Sequence, residues 1–503
     1  MAIKRSSGIL LPIASLPSPY GIGTLGKSAY EFIDFLSNAN QTYWQILPVG
    51  PTSFGDSPYQ SFSTFAGNPY FIDLDMLIEQ NLLSLGDVES INWGDSAREV
   101  DYKKVYDNRF IVLRKAFDKV KDNFDTDFQV FVEKNAFWVH EYSLYMAIKE
   151  HFDMKSWLLW EDEDIRLFRP EAVKKYRQKL SENIAFYEYL QFLFYSQWKK
   201  LRAYAKEKGI SIIGDIPIYV AMDSADVWAN KELFQINEEG IPTSVAGVPP
   251  DYFTENGQLW GNPLYNFDRM KQDGFSWWKK RIEGASKIYD VIRIDHFRAF
   301  AFYWRIPYDA KTAKKGEWVL GPRMDLVNIF KNEFKNIDFI AEDLGFLTPD
   351  VIELQKKSGF PGMKVLEFAF DEREPSNYLP HTYTENSVCY IGTHDNMPIM
   401  AWKDEAAPED VKFAREYLDI KDDLNFNWAF IRAGMASVSK LFVVQIQDYL
   451  GYGPESRINI PGTVGGNWKW RILNTDITKE LTKKIARVTQ IYGRSNKNGK
   501  RSN

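Results

Sequence analysis

Cysteine, histidine and long apolar runs are scarce in this chain of 503 residues. The one cysteine, Cys389, excludes an internal disulfide framework and is typical of a reducing compartment, so we expect a cytoplasmic protein. The five histidines form no HExxH or other ligand spacing, which argues against zinc, and we expect neither a metal nor another cofactor. No apolar run approaches the length of a membrane span, so no membrane attachment is expected.

Positive charge is not in excess either, because the formal net charge is -6 at neutral pH. Nucleic acid is therefore not an expected partner. The sequence contains no GxSxG elbow and no Walker loop, which removes the common nucleophilic-serine and phosphate-cradle chemistries. A content of 45% apolar and 26% charged residues is typical of a globular protein with a large core.

A glycine-rich stretch, GIGTLG at residues 21–26, follows a predicted strand and precedes an amphipathic helix, as a dinucleotide-binding fingerprint would. However, Pro17 and Pro19 separate the strand from the glycines. The next strand, TYWQILPVG, ends in proline and glycine where a ribose-binding acidic residue is required. We therefore interpret the stretch as a structural turn.

Short apolar runs alternate with amphipathic helices along the chain, which is the pattern of a parallel sheet covered by helices. Eight such runs occur, and they begin at Gly8, Tyr43, Ile210, Asp290, Asp338, Lys364, Ser387 and Leu441. Eight strand-helix units predict an α/β fold, a (β/α)8 TIM barrel. A doubly wound open sheet is the alternative, because periodicity alone does not establish closure.

Long segments between the predicted strands indicate insertions on the barrel loops. We expect one catalytic barrel over residues 1–503, with a helical insertion at 50–205 after strand 2. A second insertion, at 221–288 after strand 3, contains a proline- and glycine-rich stretch at 249–263 that we expect to be an active-site loop. The tail YGRSNKNGKRSN is expected to be a solvated end.

Acidic residues follow four of the predicted strands. Asp215 follows IIG, Asp295 follows VIRI, Glu342 follows FIA, and His394 with Asp395 follow YIGT. In a barrel these strand ends converge on one face, so we expect the side chains to share a site. A single acid at such a place is more often a helix cap or an ion-pair partner, but repetition over several strands favours a catalytic site.

Paired carboxylates across a cleft are typical of glycosidic bond cleavage, where one stays ionised and the other protonates the leaving oxygen. Arg293 precedes Asp295 by two residues, so on a strand both point to the same side and the guanidinium favours the ionised carboxylate. Glu342 rises from an apolar run, so burial is expected to raise its pKa and suit it to the role of the acid.

Several long motifs, taken together, resemble those of one family. They are GDSPYQSFSTFAGNPY, GDIPIYVAMDSADVWAN, VAGVPPDYFTENGQLWGNPLYNF, RIDHFRAF, AEDLG, PGMKVLEFAF, GTHDN and NIPGTVGGNWKWR. In this order, from Arg5 to about Arg471, they resemble the amylomaltases, or 4-alpha-glucanotransferases, of glycoside hydrolase family 77. RIDHFR alone would indicate only the wider alpha-amylase superfamily. The chain departs from the family pattern at Glu367, where Gln is common.

The resemblance implies a (β/α)8 barrel with helical insertions and without a C-terminal β domain. It also implies a retaining transfer of an alpha-1,4-glucan segment from a maltooligosaccharide to the 4-hydroxyl of another glucan or of glucose. By motif, Asp295 would be the nucleophile, Glu342 the acid/base and Asp395 the residue that binds the sugar hydroxyls in the transition state. The substrate-binding residues would be Tyr59, Asp215, Trp260, Arg293, His296, Phe368, His394 and Asn467.

Two other functions stay open. One is a plain alpha-glucan hydrolase with the same carboxylates, and the other is an inactive glucan-binding protein. Transfer and hydrolysis differ only in whether a sugar or water reaches the intermediate, which residue types do not decide. An inactive relative usually loses at least one catalytic carboxylate, whereas all of these positions are intact here. The oligomeric state is also left open.

Overall fold

The computed structural model describes residues 3–53, 55–250, 255–345, 347–371, 373 and 376–495. Within these ranges the chain forms twelve strands. In chain order they are β1 (Ser6–Leu10), β2 (Tyr43–Gln45), β3 (Ser211–Pro217), β4 (Ser244–Val248), β5 (Gln258–Pro263), β6 (Val291–Asp295), β7 (Phe302–Pro307), β8 (Glu317–Leu320), β9 (Asp338–Ala341), β10 (Gly362–Val365), β11 (Ser387–Tyr390) and β12 (Leu441–Gln445).

Eight of these strands form a closed parallel barrel in the order β1-β12-β11-β10-β9-β6-β3-β2. The strand β1 closes the barrel, because it pairs with β2 on one side and with β12 on the other. They are the strands that the apolar runs predict, so the TIM barrel is confirmed and the open-sheet alternative is wrong. Every residue of β1 and β12 is buried, because a strand covered by helices outside and by the packed interior inside has no solvent face.

Helices connect and cover the strands. The α-helices in the described ranges are α1 (Lys27–Asn38), α2 (Leu74–Glu79), α3 (Gly86–Glu89), α4 (Tyr102–Asp118), α5 (Thr126–His151), α6 (Glu163–Arg166), α7 (Pro170–Lys179), α8 (Ser181–Glu207), α9 (Ala225–Ala229), α10 (Phe267–Gln272), α11 (Ser276–Ile288), α12 (Arg323–Glu333), α13 (Pro349–Ser358), α14 (Ile399–Glu405), α15 (Pro408–Leu418), α16 (Phe426–Ala436), α17 (Ile446–Leu450) and α18 (Lys479–Ile491). The long helix α8 leads directly into β3, and Gly209 between them has φ +75°, the left-handed conformation that commonly ends a helix.

The insertions hold strands as well as helices. Helices α2 to α8 lie between β2 and β3, with α5 packed along α8. A four-stranded sheet with the order β5-β4-β7-β8 was not predicted from the sequence. In it, β4 pairs antiparallel with β5 and with β7. The segment between β3 and β6 and the segment between β6 and β9 therefore share one sheet. Pairing between such distant segments leaves little trace in local periodicity. The insertion boundaries at 50–205 and 221–288 stay predictions.

The C-terminal segment differs from the solvated end that the sequence suggests. Arg494 is fully buried, and its guanidinium donates to the main-chain carbonyls of Ser6, Met435 and Ser437 at 2.8 to 2.9 Å. The prediction is therefore wrong for Arg494, because carbonyls beside the barrel closure accept its hydrogens. Residues 496–503 lie outside the described ranges. No helix in the described part of the chain is long and apolar enough to cross a membrane.

Candidate active site

Four barrel strands bring the predicted acidic residues to one end of the barrel. Asp215 lies within β3, Asp295 ends β6, and Glu342 follows β9 directly. The loop between β11 and α14 carries His394 and Asp395. All four strands are parallel members of the barrel, so their carboxyl ends share one rim, as predicted.

A buried ion network ties two of these strands together. Arg293 on β6 has only 3% of its side chain exposed, and Asp215 has none. Nη1 of Arg293 donates to both carboxylate oxygens of Asp215, at 2.8 and 2.6 Å, and to Oδ1 of Asp295 at 2.9 Å. Burial acts to lower the pKa of Arg293, but the two carboxylates outweigh burial and raise it, so the guanidinium stays charged.

The carboxyls of Asp295 and Glu342 are electrostatically coupled. Burial raises the pKa of Asp295 to about 6, while Arg293 acts in the opposite direction. Burial and then the charge of Asp295 raise the pKa of Glu342 to about 7. The expected effect of burial on Glu342 is thus present, and Arg293 offsets only part of the effect of burial on Asp295. Near neutral pH the pair suits one ionised and one protonated carboxyl.

Main-chain hydrogen bonds fix the direction of the Glu342 carboxyl. The amide of His296 donates to Oε2 at 2.7 Å and the amide of Leu344 donates to Oε1 at 2.8 Å. His296 has φ +53°, a left-handed conformation that is uncommon for residues other than glycine and is often found at functional sites. Burial lowers the pKa of the His296 ring to about 3, so this imidazole is neutral at physiological pH.

Tyr59 joins the strand ends from the insertion after β2. Its hydroxyl donates to Oδ2 of Asp215 at 2.8 Å and lies 2.8 Å from Nε2 of His394. The rings of Tyr59 and His394 are stacked, with centroids 5.1 Å apart and an angle of 16° between their planes. Trp468, which sequence reasoning did not single out, packs at a tilt against both rings, with centroids 5.9 and 6.1 Å away.

Asp395 is held by residues that the sequence did not single out. Nδ2 of Asn459 donates to Oδ1 of Asp395 at 2.6 Å, and Arg457 donates to the Asp395 carbonyl oxygen at 3.1 Å. The carboxylate remains 43% exposed, which leaves it accessible to a ligand. By contrast, the predicted Asn467 bonds to Ile460 and Thr463 and so holds its own turn together. Both asparagines belong to one motif, and nothing in the motif tells which of them faces the aspartate.

Two predicted aromatic residues flank this cluster. Trp260 lies on β5, a strand rather than the expected loop, and its ring meets His296 edge-on with centroids 4.8 Å apart. Phe368 is 38% exposed at the end of a 3₁₀ turn after β10, and its ring meets Tyr378. The predicted active-site stretch 249–263 is described only in part, because residues 251–254 lie outside the described ranges.

A metal centre is not evident at this rim. In the ranges that the structure describes, no group of three or more His, Cys, Asp or Glu side chains is arranged to hold a metal ion. What the rim does contain is carboxyls beside the buried, positively charged guanidinium of Arg293.

A closed parallel barrel with acidic residues on several neighbouring strand ends defines a (β/α)8 enzyme, and coupled carboxyls beside a buried arginine are suited to glycosidic bonds. A family model described as 4-alpha-glucanotransferase matches residues 11–476. The chain thus belongs to glycoside hydrolase family 77, the 4-alpha-glucanotransferases.

Relatives with this description are similar to the chain over nearly its whole length. The 4-alpha-glucanotransferase of Clostridium butyricum is 48% identical over 484 residues, which cover 96% of this chain and 99% of the relative. That of Thermus thermophilus is 43% identical over 491 residues, or 95% and 97% of the two chains. An amylomaltase from Streptococcus agalactiae, solved in complex with acarbose, is 42% identical, covers 98% of this chain and 100% of its own, and has a TM-score of 0.95.

Proposed function

We propose that this 4-alpha-glucanotransferase moves a segment of an alpha-1,4-glucan through a covalent ester on Asp295. The observation that carries the proposal is the coupled pair of carboxyls. Asp295 has the lower pKa and the charge of Arg293 beside it, whereas burial and the charge of Asp295 favour a protonated Glu342. These are the two states that a nucleophile and a general acid require.

In the first half-reaction, a carboxylate oxygen of Asp295 attacks the anomeric carbon of the donor. The glycosidic bond breaks, and Glu342 gives its proton to the departing O4 of the leaving glucan. In the second half-reaction, Glu342 takes the proton from the 4-hydroxyl of the acceptor, which attacks the same carbon and releases Asp295. Two inversions at the anomeric carbon keep the alpha configuration, and Glu342 is protonated again at the end of the cycle.

The remaining rim residues would hold the donor sugar. Asp395, oriented by Asn459, would accept hydrogen bonds from ring hydroxyls that tighten as the sugar ring flattens in the transition state. His394 would bind a further hydroxyl, and the Tyr59 ring would contact the apolar face of the sugar. The buried carboxylate of Asp215 would hold Arg293 and Tyr59 in place rather than touch the sugar. Trp260, next to His296, would contact the acceptor.

Maltooligosaccharides and glucose are the substrates that fit this chemistry. The S. agalactiae relative is solved in complex with acarbose, which supports the binding of alpha-glucan oligosaccharides by this chain. We place the reaction in the cytoplasm, on the support of the single, unpaired and buried cysteine, Cys389.

Incubation of the purified protein with maltotriose tests the proposal. We expect glucose together with maltotetraose and longer products, because a second sugar intercepts the ester. Products that are all shorter than maltotriose would identify a hydrolase instead. Unchanged maltotriose would indicate a binding protein. The Asp295→Asn variant serves as the control for contaminating activity.

A further inference from the structure

Trp318, on the edge strand β8, is the most exposed of the sixteen tryptophans, with 41% of its surface open. Leu320 lies two residues further along β8, so it points to the same face, and it is 55% exposed. An open tryptophan beside an open leucine forms an apolar patch at the edge of the small sheet. The apolar C–H face of a glucose unit loses contact with water when it settles on such a surface.

The ring of Trp318 is held in place by a tryptophan on the next strand. Trp304 on β7 is its cross-strand partner, and the two rings meet edge to face with centroids 5.1 Å apart. Trp304 donates its indole hydrogen to the Ala313 carbonyl at 2.9 Å and packs against a small core that includes Val245 and Ile306. A ring that is fixed before its ligand arrives loses little entropy on binding.

Arg298, three residues beyond the end of β6, lies against this patch. Its guanidinium carbon lies 4.3 Å from the centroid of the Trp318 ring. Arg298 is the third residue after Asp295, and burial lowers its pKa while the charge of Glu342 acts to raise it. Because Glu342 is the group that protonates the leaving oxygen, its surroundings lie on the leaving-group and acceptor side of the bond.

We propose that Trp318 and Leu320 form a platform that binds an alpha-1,4-glucan on the acceptor side, beyond the glucose unit next to the cleaved bond. The inference rests on the transfer reaction proposed above. Trp260 and Trp318 lie on β5 and β8, the two opposite edges of one sheet. Three strand spacings separate these edges, a distance of about 14 Å. The pairing register also puts Trp318 on the face of Trp304 and Leu259, whereas Trp260 points to the other face. A single glucose near Trp260 therefore does not reach Trp318, and only an acceptor long enough to pass Arg298 would contact it.

Acceptor length isolates the effect of the platform. Maltotriosyl fluoride serves as the donor, because fluoride leaves without occupying the acceptor side, and the acceptors are glucose, maltose and maltopentaose. For Trp318→Ala we expect an unchanged KM for glucose and a KM for maltopentaose about five- to tenfold higher, as the loss of one aromatic contact gives. Trp318→Phe keeps a ring over Arg298 and should retain most of the preference for the longer acceptor.

Phe137→Ala is a matched control, because it removes an aromatic side chain that is 40% exposed on α5. It should leave KM unchanged for every acceptor. Equal changes for glucose and maltopentaose in Trp318→Ala would assign the ring a purely structural role and overturn the proposal. An unchanged KM for maltopentaose would overturn it as well. If the unmodified enzyme transfers to no acceptor, the proposed function fails instead, so the two failures are distinguishable.

Discussion

Arg293 is the residue on which the charge balance of the active site depends. Its guanidinium contacts Asp215 and Asp295, and its charge opposes the burial that raises the pKa of both Asp295 and Glu342. In the proposed reaction, a buried strand carries these charges because the attacking carboxylate must stay ionised where little water solvates it.

Replacing Arg293 with Leu should move the pH profile of transfer to higher pH. The proposed transfer needs Asp295 ionised and Glu342 protonated, and loss of the positive charge should raise the pKa of both. The acidic and the alkaline limbs of kcat/KM should therefore both shift upward, while Arg293→Lys should shift them less. Initial rates of transfer from maltotriose, measured across the pH range, give this comparison.

Asp295→Asn should reduce transfer by roughly 10⁴-fold or more, since it removes the attacking anion, and should leave the melting temperature and glucan binding largely unchanged. A purely structural ion pair between Arg293 and Asp295 predicts the reverse, with lower melting temperatures and normal turnover in the folded fraction. Melting curves and turnover numbers of Asp295→Asn and Arg293→Leu decide between these outcomes. Near-normal activity of Asp295→Asn would end the assignment of the nucleophile.

Glu367 illustrates a buried acid that the proposed chemistry does not use. It lies just after β10, is 8% exposed, and its Oε1 has no hydrogen-bond partner among the described residues. Burial and the nearby charge of Asp448 hold the pKa of Glu367 well above its usual value. An ionised Glu367 is therefore unfavourable in the folded state.

Glu367→Gln should raise the free energy of unfolding at pH 8 by roughly 1 kcal/mol or more, because Gln has no carboxyl that must stay protonated in the folded state. The folded pKa lies above the unfolded one, so the carboxyl lowers stability once the pH rises above the unfolded value, near 4.5. Below that value both states are protonated and the advantage of Gln should vanish. Urea unfolding at pH 4 and pH 8 measures this, with the exposed Glu79→Gln as control. Equal effects at both pH values would contradict the reasoning.

At the scale of elements, the loop between β11 and α14 is positioned by hydrogen bonds from Arg457 and Asn459, which follow β12. Asp395 stands on this loop with a side chain 43% exposed, and the bond from Asn459 fixes one of its oxygens. The alternative asparagine, Asn467, bonds only within its own turn among the contacts described. Positioning of Asp395 is therefore a property of two segments that meet at the rim.

Asn459→Ala should lower kcat/KM about 10- to 100-fold, which corresponds to the loss of one hydrogen bond to a charged group. The melting temperature should change little, because the side chain acts at the partly open rim. Asn467→Ala is the control and should cost less activity. A larger loss for Asn467→Ala would support the substrate-binding role that the motif suggests for that residue.

At the scale of the whole molecule, the barrel closes where β1 meets β12, and the C-terminal segment covers this seam. Arg494 connects the carbonyl of Ser6 on β1 with the carbonyls of Met435 and Ser437 at the end of α16. These contacts join residues from both ends of the chain. The barrel and the C-terminal segment should therefore unfold together.

Arg494→Met should lower the free energy of unfolding by roughly 3 kcal/mol, since several buried carbonyls lose their donor. The catalytic constants of the folded enzyme should stay normal, because the site lies at the other end of the barrel strands. Urea unfolding followed by circular dichroism measures the loss, with Lys483→Met on the exposed face of α18 as control. A stability equal to that of the unmodified protein would show that the seam does not depend on Arg494.

The amino-acid sequence by itself determined the barrel and the positions on it of the candidate catalytic carboxyls. Each barrel strand is a local apolar run, and the acids at 215, 295 and 342 lie in or directly after these runs. Closure of a parallel barrel then brings the strand ends together whatever the loops do. The prediction needed only short-range patterns, because a strand that is buried on both faces is a nearly continuous apolar run in its own sequence.

The tertiary structure alone decided which distant residues meet. Asn459 rather than Asn467 contacts Asp395, Trp318 lies over Arg298, and Arg494 is buried instead of solvated. The sheet of β4, β5, β7 and β8 likewise joins segments on both sides of β6. The physical reason is that these contacts depend on the relative placement of segments far apart in the chain, and a local pattern of residue types carries no information about a partner on another segment.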